Sequence, residues 1–346
     1  MAGNKRKILI TGIAGFVGYH LAKKLLENPD ILLVGVDNIN DYYSPQLKHD
    51  RLKNLGLNLP VDKYNKSCSG NSLTFYHFSI EDYAELSRIM EQHRPEIVIH
   101  LAAQAGVRYS ITNPHAYAQS NLVGFLNMQE VCRAFPVKHF LYASSSSVYG
   151  MNQKVPYTET DAVDQPVSIY AATKRANELM AYTYAHLYKV PSTGLRFFTV
   201  YGPWGRPDMA YFSFTKKILA NEPIEVYGNG LPERDFTYID DIVEGIVNLV
   251  EKPPLEITPY RILNIGNHQP VLLNYFIETL EEVIGKAAVK IHTDMQAGDV
   301  QKTFADVSAI NELTGFKPNT PLKEGLRKFW NWYRNYFSLS NESKSC

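Results

Sequence analysis

The chain has 346 residues, of which 45% are apolar and 20% are charged, and its 35 Lys and Arg balance its 35 Asp and Glu. This length supports two domains or one large α/β domain with an appended lobe. The balanced charge excludes a general attraction to nucleic acid or to an anionic membrane.

The cysteines and the N-terminus indicate the compartment. Cys68, Cys132 and Cys346 are scattered and odd in number, which argues against a disulfide framework and against structural zinc. The apolar run of the N-terminus ends at Thr11 and Gly12 and is too short for a secretory signal. No segment approaches the roughly 18 apolar residues of a membrane span. We therefore expect a soluble, cytoplasmic protein with no metal site and no nucleic-acid or membrane partner.

Short aliphatic and β-branched segments alternate with helical segments through the first 200 or so residues. The predicted strands are, in chain order, residues 7–11, 31–36, 73–78, 96–101, 139–143 and 192–198. Between the first two strands, Val17, Leu21 and Leu25 recur at helical spacing. Alternation of this kind predicts a doubly wound parallel sheet, which binds its ligands at the carboxyl ends of the strands.

The regular alternation ends near residue 200. Residues 1–198 are predicted to form a first domain, and residues 199–346, which contain Pro- and Gly-rich loops, mainly a smaller lobe. Residues 236–252 are predicted to form a helix that returns to the main sheet, so residues 236–266 are assigned to the first domain. Residues 54–72 look like a loop and have no assigned role.

Three glycines lie between the first strand and the first helix. Glycines at this turn let the backbone approach a pyrophosphate, and the amides of the helix N-terminus face the anion. Asp37 ends the second strand, where a carboxylate accepts hydrogen bonds from the adenosine ribose and repels a 2′-phosphate, which favours NAD over NADP. The first domain is thus predicted to bind NAD through Gly12, Gly15, Phe16, Val17, Gly18, Asp37, Asn38, Ile80, Ala102, Ala103 and Asn121. A turn role for Asp37 and a helix N-cap role for Asn121 are the alternatives.

A Tyr-x-x-x-Lys pair, Tyr170 and Lys174, follows the fifth predicted strand. Residues four apart share one face of a helix, so the ammonium is expected beside the phenol. Lowering the phenol pKa from about 10 to about 7 costs about 4 kcal/mol, of which a cation about 5 Å away supplies about 3 kcal/mol. The pair is predicted to act as the catalytic base and to contact the cofactor.

The spacing G-x-x-G-x-x-G together with Tyr-x-x-x-Lys resembles the extended short-chain dehydrogenase/reductase superfamily over nearly the whole chain. The resemblance implies a Rossmann-type fold and a catalytic serine that bonds the reacting sugar hydroxyl and the tyrosine. Alignment on "VYG" makes that serine Ser145, within the run Ser144 to Ser147. Ser144 and Ser146 are close enough to share its role or to cap the turn.

The two residues before "VYG" separate sister reactions of this superfamily. Nucleotide-sugar 4,6-dehydratases carry an Asp-Glu pair there and UDP-glucuronate decarboxylases a Glu, whereas this chain has Ser146 and Ser147. Elimination of water needs a carboxyl group as acid or base. The hydroxyls therefore favour reversible oxidation at C4, as in a 4-epimerase.

Three segments, "DNINDYYSPQLKHDRL", "LAAQAGVRYSITNPHAYAQSNLVGF" and "RFFTVYGPWGRPDMA", resemble the UDP-glucuronate 4-epimerases. The resemblance implies an isomerase that interconverts UDP-glucuronate and UDP-galacturonate through a 4-keto sugar. Arg206 then meets the sugar carboxylate, since a planar fork matches it bidentately; an Arg206 that orders its own loop is the alternative. The implied substrate contacts are Ser145, Ser146, Thr199, Arg206, Arg234 and Asp299, which makes residues 199–346 mainly a UDP-sugar-binding lobe. Ser79 and Ala297 depart from the pattern of relatives, which usually carry an acid and often a proline at these positions.

Other functions stay open at this point. A 4-epimerase of UDP-glucose or UDP-N-acetylglucosamine shares the fold and the base, and a non-catalytic NAD-binding scaffold shares the fold without needing Ser145, Tyr170 and Lys174 together. By resemblance, the protein is also expected to form a homodimer through helices at 115–134 and 170–188.

Overall fold

The computed structural model describes residues 5–57, 66–70, 72–295 and 300–338. Within them the strands are β1 (Arg6–Thr11), β2 (Ile31–Asp37), β3 (Lys66–Ser69), β4 (Leu73–His77), β5 (Ile97–His100), β6 (His139–Ser145), β7 (Ser192–Phe197), β8 (Thr199–Tyr201), β9 (Ile224–Tyr227), β10 (Glu233–Tyr238), β11 (Tyr260–Ile265), β12 (Pro270–Leu272) and β13 (Lys290–Thr293). The helices are α1 (Phe16–Leu25), α2 (Pro45–Asn54), α3 (Tyr83–His93), α4 (Tyr109–Thr112), α5 (Pro114–Tyr117), α6 (Gly124–Ala134), α7 (Ile169–Tyr188), α8 (Ala210–Leu219), α9 (Ile239–Val250), α10 (Leu273–Ile284), α11 (Ser308–Thr314) and α12 (Leu322–Tyr336). A π-helical turn (Ala118–Val123) joins α5 to α6, and a 3-10 turn (Ser146–Tyr149) follows β6.

Eight strands form the large sheet in the order β3-β4-β2-β1-β5-β6-β7-β11. Neighbouring strands are parallel except at the edge, where β3 is antiparallel to β4. The predicted doubly wound parallel sheet is confirmed, and every predicted strand lies in it. The carboxyl ends of its parallel strands share one edge, where ligand sites of this architecture form.

The large sheet is covered on both faces. Along β1, Ile8 and Ile10 belong to one buried apolar cluster, together with Leu21 of α1. Leu9, between them, belongs to a second cluster that contains Phe125 of α6. Successive side chains of a strand point to opposite faces, so a strand that is buried on both faces has a continuous apolar sequence.

Two predictions of local structure are corrected. Residues 236–238 complete strand β10, and helix α9 begins only at Ile239; α9 then packs against α1, and the chain adds β11 to the large sheet beside β7. Residues 66–69, expected in a loop, form the edge strand β3. Its sequence KSCS lacks the apolar alternation by which strands are recognised.

Besides the large sheet, the described part of the chain contains a three-stranded sheet, β12-β10-β8, and a two-stranded sheet, β13-β9. The aromatic helix α12 buries Leu326, Phe329 and Tyr333 in the same apolar cluster as Ile8 and Phe212, so this helix is part of the core. None of the helices in the described part of the chain has both the length and the apolar character of a membrane span.

Candidate active site

One cavity lies at the carboxyl edge of the large sheet and collects most of the predicted site residues. Those that line it are Gly12, Gly15, Phe16, Val17, Gly18, Asp37, Asn38, Ile80, Ala102, Ala103, Ser145, Tyr170, Lys174 and Arg206. The cofactor set and the catalytic set therefore face the same space.

The glycine turn packs directly on the end of β5. Gly12 has φ +74°, and a Cβ on it would lie 2.6 Å from the amide nitrogen of Ala102. A Cβ on Gly18 would lie 2.1 Å from the carbonyl oxygen of Gly12. Gly15, at the N-cap of α1, contributes no side chain to the first amides of that helix. The turn therefore has the close backbone approach and the uncapped helix N-terminus that suit a pyrophosphate.

Asp37 orders its own turn and also lines the cavity. Its Oδ1 accepts a 2.8 Å hydrogen bond from the Ile39 amide, which orders its own turn, and its Oδ2 accepts a 3.0 Å hydrogen bond from the Ala14 amide of the glycine turn. Because the carboxylate also lines the cavity, its remaining lone pairs can face a ribose.

Asn121 lies in the middle of the π-helical turn, not at a helix N-cap, and its side chain does not line the cavity. Its Oδ1 accepts from the Gln104 amide at 2.8 Å, and its Nδ2 donates to the Gln104 carbonyl at 3.0 Å and to Thr173 Oγ1 at 3.1 Å. The N-cap alternative for Asn121 is thus corrected: it holds the backbone of Gln104, which does line the cavity.

Lys174 is placed by a backbone contact. Its Nζ donates a 2.8 Å hydrogen bond to the Ala143 carbonyl at the end of β6, and its side chain is buried and lines the cavity. Burial lowers the pKa of this ammonium to about 8, because removal from water disfavours the charged form.

Tyr170 stands one turn before Lys174 on α7, a helix whose N-cap Ser168 accepts from the Ala171 amide at 3.1 Å. Burial raises the pKa of the Tyr170 phenol, while a hydrogen bond with Ser145 and the positive charge of Arg206 oppose the rise. The sequence predicted that Lys174 would lower this pKa. In the folded chain the pKa is instead raised, because burial disfavours the phenolate.

The four consecutive serines have different environments. Ser144 donates a 2.6 Å hydrogen bond to Glu178, whose carboxylate is paired with the buried Arg196 at 2.9 Å, so the hydroxyl of Ser144 is committed to a structural ion pair. Ser145 lines the cavity; its Oγ donates to Ser147 Oγ at 3.1 Å and accepts from the Ser147 amide at 3.2 Å. Ser146 is half-buried and does not line the cavity.

Arg206 lines the cavity and also orders its own loop. Its Nε and Nη2 donate to the two carboxylate oxygens of Asp208 at 3.0 and 2.5 Å. Burial lowers the pKa of the guanidinium, but the charge and hydrogen bonds of Asp208 oppose this and the net pKa is raised, so Arg206 stays positively charged.

Thr199 and Arg234, two further predicted substrate contacts within the described residues, do not line the cavity. Thr199 lies between Phe198 and Val200, which both line the cavity, and successive side chains of a strand point to opposite faces. Arg234 of β10 donates to the Glu233 carbonyl at 3.0 Å and the Gln301 carbonyl at 3.4 Å. Asp299 lies outside the described residues.

Two cations of α2 were missed by sequence reasoning. Lys48 lines the cavity and donates to the carbonyl and side-chain oxygens of Asn40 at 2.8 and 2.6 Å; burial lowers the pKa of Lys48, and the nearby Asp37 opposes that effect. Arg51, one turn further on, is completely buried. The sequence did contain a signal for these two residues. Lys48 and Arg51 are three residues apart, so they share one face of the helix, and they adjoin Leu47 and Leu52, the apolar residues of α2.

The fold and the cavity together define the class of this protein: it is a Rossmann-type extended short-chain dehydrogenase/reductase, with Ser145, Tyr170 and Lys174 at the carboxyl edge of the sheet. The chain belongs to the NAD dependent epimerase/dehydratase family, whose model matches residues 8–266.

Similar proteins cover nearly the full length of the chain. It is 50% identical over 345 residues to Protein CapI of Staphylococcus aureus, covering 96% of this chain and 99% of that protein. It is 46% identical over 346 residues to a probable UDP-glucuronate 4-epimerase of Rhizobium meliloti, covering 95% and 98%. The crystal structure of UDP-glucuronic acid 4-epimerase from Bacillus cereus in complex with UDP-glucuronic acid and NAD matches with a TM-score of 0.86 and 32% identity, covering 95% of this chain and 99% of that one.

Proposed function

We propose that this protein is an NAD-dependent isomerase that interconverts UDP-glucuronate and UDP-galacturonate by inverting C4 of the sugar. The observation that carries the proposal is that Arg206, a fixed cation, lines the same cavity as Ser145 and Tyr170. A guanidinium beside the base selects a sugar that bears a carboxylate next to the reacting carbon. The similar proteins from Rhizobium meliloti and Bacillus cereus bear the name of this activity.

The residues present fit the cofactor. A Cβ would fill the cradle at Gly12 or Gly18, the N-terminus of α1 has no side-chain cap, and Asp37 faces the cavity. We assign the cofactor contacts to these residues and to Phe16, Val17, Asn38, Ile80, Ala102, Ala103, Tyr170 and Lys174, all of which line the cavity. When bound there, NAD supplies the acceptor and donor of the C4 hydride.

Proton transfer falls to Tyr170 and Ser145. Tyr170 takes the proton of the C4 hydroxyl, directly or through Ser145, as the hydroxyl becomes a ketone. Lys174, held by the Ala143 carbonyl, is the cation one helical turn away. Because protein groups alone leave the phenol pKa raised, the base needs an additional positive charge in the site to work near neutral pH.

The chemistry of the described cavity lining disfavours elimination of water. Among the described lining residues Asp37 is the sole carboxylate, and it lies at the glycine turn, where it accepts from the Ala14 and Ile39 amides. The positions before "VYG", Ser146 and Ser147, offer hydroxyls in place of the carboxyl group that dehydration requires.

A 4-ketone beside the C5 carboxylate is a β-keto acid. It can lose carbon dioxide when the C5–C6 bond breaks, its electron pair moves into the ketone as an enolate, and C5 takes up a proton. We assign to Arg206 the task of holding the carboxylate where the breaking bond cannot overlap the ketone. An Arg206→Ala variant should therefore turn over more slowly and release the decarboxylated UDP-4-keto-pentose, or the UDP-pentose that forms when its ketone takes back the hydride.

The nucleotide part of the substrate is assigned to the smaller lobe, with Arg234 and Asp299 as its contacts and with Ser146 and Thr199 beside the sugar. The Arg234 guanidinium lies near the carbonyls of Glu233 and Gln301, on β10 and on the segment that follows residues 296–299. A cation at this position suits a diphosphate.

We also propose a homodimer formed by the helices at 115–134 and 170–188. Large apolar side chains of these helices are exposed: Val123, Leu126, Leu179, Tyr182, Leu187 and Tyr188. An exposed apolar helix face of this kind suits burial against a second copy.

The proposal is tested with purified protein and three UDP-sugars. Mass spectrometry should find NAD retained by the protein, and NMR should show conversion of UDP-glucuronate, but not of UDP-glucose or UDP-N-acetylglucosamine. Tyr170→Phe should retain NAD and lose at least about 100-fold in kcat, as expected for a general base. Turnover of UDP-glucose in preference to UDP-glucuronate, or a protein that holds no NAD, would contradict the proposal.

A further inference from the structure

Behind Arg206 lies a carboxylate that does not itself line the cavity. Asp208 accepts from Arg206 Nε at 3.0 Å through Oδ1 and from Nη2 at 2.5 Å through Oδ2. Arg206 lines the cavity and Asp208 is absent from its described lining. Asp208 therefore binds the Nε–Nη2 edge of the guanidinium from outside the described lining of the cavity.

Tyr42 completes this arrangement. Its hydroxyl donates a 3.0 Å hydrogen bond to Asp208 Oδ2, and the Arg206 guanidinium lies 5.8 Å from the centre of the Tyr42 ring. Gly106 has φ +100°, and a Cβ there would lie 2.6 Å from the Tyr42 hydroxyl. The backbone of the loop after β5 thus leaves room for the hydroxyl to reach Asp208.

The contacts determine which edge of the guanidinium a ligand can use. Of the five N–H groups of an arginine, Asp208 takes the one on Nε and one on Nη2. The edge formed by Nη1 and the second N–H of Nη2 remains as a bidentate site for another carboxylate. The Asp208 charge also offsets that of Arg206, so the pair presents directed donors with little net charge.

We infer that Asp208, held by Tyr42, is a positioning and specificity-determining residue for the sugar carboxylate: it aims the free edge of Arg206 and weakens its hold on the substrate. This inference rests on the proposed function. An epimerase must let the 4-keto sugar turn so that its other face meets the cofactor, and the C5 carboxylate moves with the ring. An arginine without Asp208 would bind the carboxylate more tightly in the starting position than in the turned one, which slows turnover.

The test compares Asp208→Asn with the wild-type holoenzyme at low ionic strength. We expect KM for UDP-glucuronate to fall about threefold or more and kcat to fall about tenfold, because ground-state binding improves while turning slows. The inhibition constant of UDP, which has no carboxylate, should not change. Asp208→Glu keeps the charge and should keep KM near the wild-type value. Asp164→Asn removes an acid whose side chain is 78% exposed and should change neither constant.

Tyr42→Phe provides a second, independent measurement. Loss of the hydroxyl leaves Asp208 Oδ2 to Arg206 alone, so the ion pair tightens; KM for UDP-glucuronate should rise about twofold while kcat does not fall. A structural role of the loop alone would make both variants raise KM and lower kcat together.

The possible outcomes distinguish a failure of this inference from a failure of the proposed function on which it rests. Wild-type turnover of UDP-glucuronate together with a raised or unchanged KM in Asp208→Asn overturns the inference and leaves the proposed function in place. If Asp208→Asn does not fold, a KM for Tyr42→Phe that is unchanged or lowered overturns it instead. A wild-type enzyme that does not turn over UDP-glucuronate overturns both.

Discussion

Arg51 donates two hydrogen bonds to the carbonyl oxygen of Trp204, from Nε at 3.1 Å and from Nη2 at 2.6 Å. Its Nη1 donates to the Ala14 carbonyl of the glycine turn at 2.7 Å and to the Tyr43 hydroxyl at 2.7 Å. A buried guanidinium on α2 thus fastens the loop that leads into Arg206 to the turn between β1 and α1.

Arg51→Lys should destabilise the protein by about 3 kcal/mol, because one ammonium cannot replace a planar fork and leaves buried carbonyls without donors. NAD retention should fall with it, since Ala14 loses its anchor. Urea unfolding and the NAD content of the purified variant measure the two effects. The control is Arg88→Lys, a partly exposed arginine paired with Glu85; equal unfolding midpoints for the two variants would contradict the role of Arg51.

Gly18→Ala should abolish cofactor retention. The added Cβ would lie 2.1 Å from the Gly12 carbonyl oxygen, so the glycine turn must move away from the position that suits a pyrophosphate. We expect NAD affinity to fall at least about 100-fold by calorimetry, as contacts of the phosphate with several amides are lost together. Gly70→Ala is the matched control, because its nearest contact would be an ordinary 3.5 Å.

Lys174→Met should be inactive but more stable than the wild type at pH 7. The pKa of Lys174 is lowered from 10.5 to about 8 by burial, so the buried charge costs up to about 3 kcal/mol, less about 1 kcal/mol for its hydrogen bond to Ala143. Below pH 8 both the folded and the unfolded chain hold this proton, and the cost is complete.

Between pH 8 and 10.5 the unfolded chain binds more protons at Lys174 than the folded chain, so wild-type stability rises with pH relative to the variant. The difference of about 2 kcal/mol at pH 7 should shrink as the pH rises above 8. Denaturant unfolding at several pH values measures this trend. Lys138→Met, at a side chain that is 75% exposed, should show no such trend; a constant difference for Lys174→Met would refute the expectation.

Leu179→Glu should convert the proposed dimer into a monomer. Leu179 and Tyr182 lie on α7 and are about half exposed, and a charge there would be buried without a partner in the interface. Light scattering after gel filtration measures the mass. Leu231→Glu, at a comparably exposed leucine between β9 and β10, should leave the dimer intact.

The strands of the large sheet and the glycine turn were predictable because their signals are local. A strand covered on both faces reads as a short apolar run, and a turn that presses against β5 requires glycine at fixed spacing. The edge strand β3 and the start of α9 were not predictable in this way. Strand β3 has a polar sequence, and residues 236–238 continue smoothly into the helix in sequence but pair with β8 in the fold.

Ser145, Tyr170 and Lys174, the proposed catalytic set, line one cavity as the sequence predicted, but the different hydrogen-bond partners of the serines were not predictable. Ser144 and Ser145 are adjacent and chemically identical and both line the cavity, yet Ser144 donates to Glu178, 34 residues away, whereas Ser145 bonds Ser147. Asn121 is similar, since its partners Gln104 and Thr173 meet only in the fold.

The sequence by itself determined the fold class and the glycine turn, because periodicity and motif spacing are properties of neighbouring residues, and the family resemblance added Ser145 to the proposed catalytic set of Tyr170 and Lys174. The tertiary structure decided what surrounds them. Arg51 joins two loops that are about 190 residues apart in the chain, and Tyr42 reaches Asp208 across 166 positions. Burial raises the Tyr170 pKa, which Lys174 was expected to lower. Contacts of this kind and the desolvation that accompanies them depend on distance in space, which no local pattern encodes.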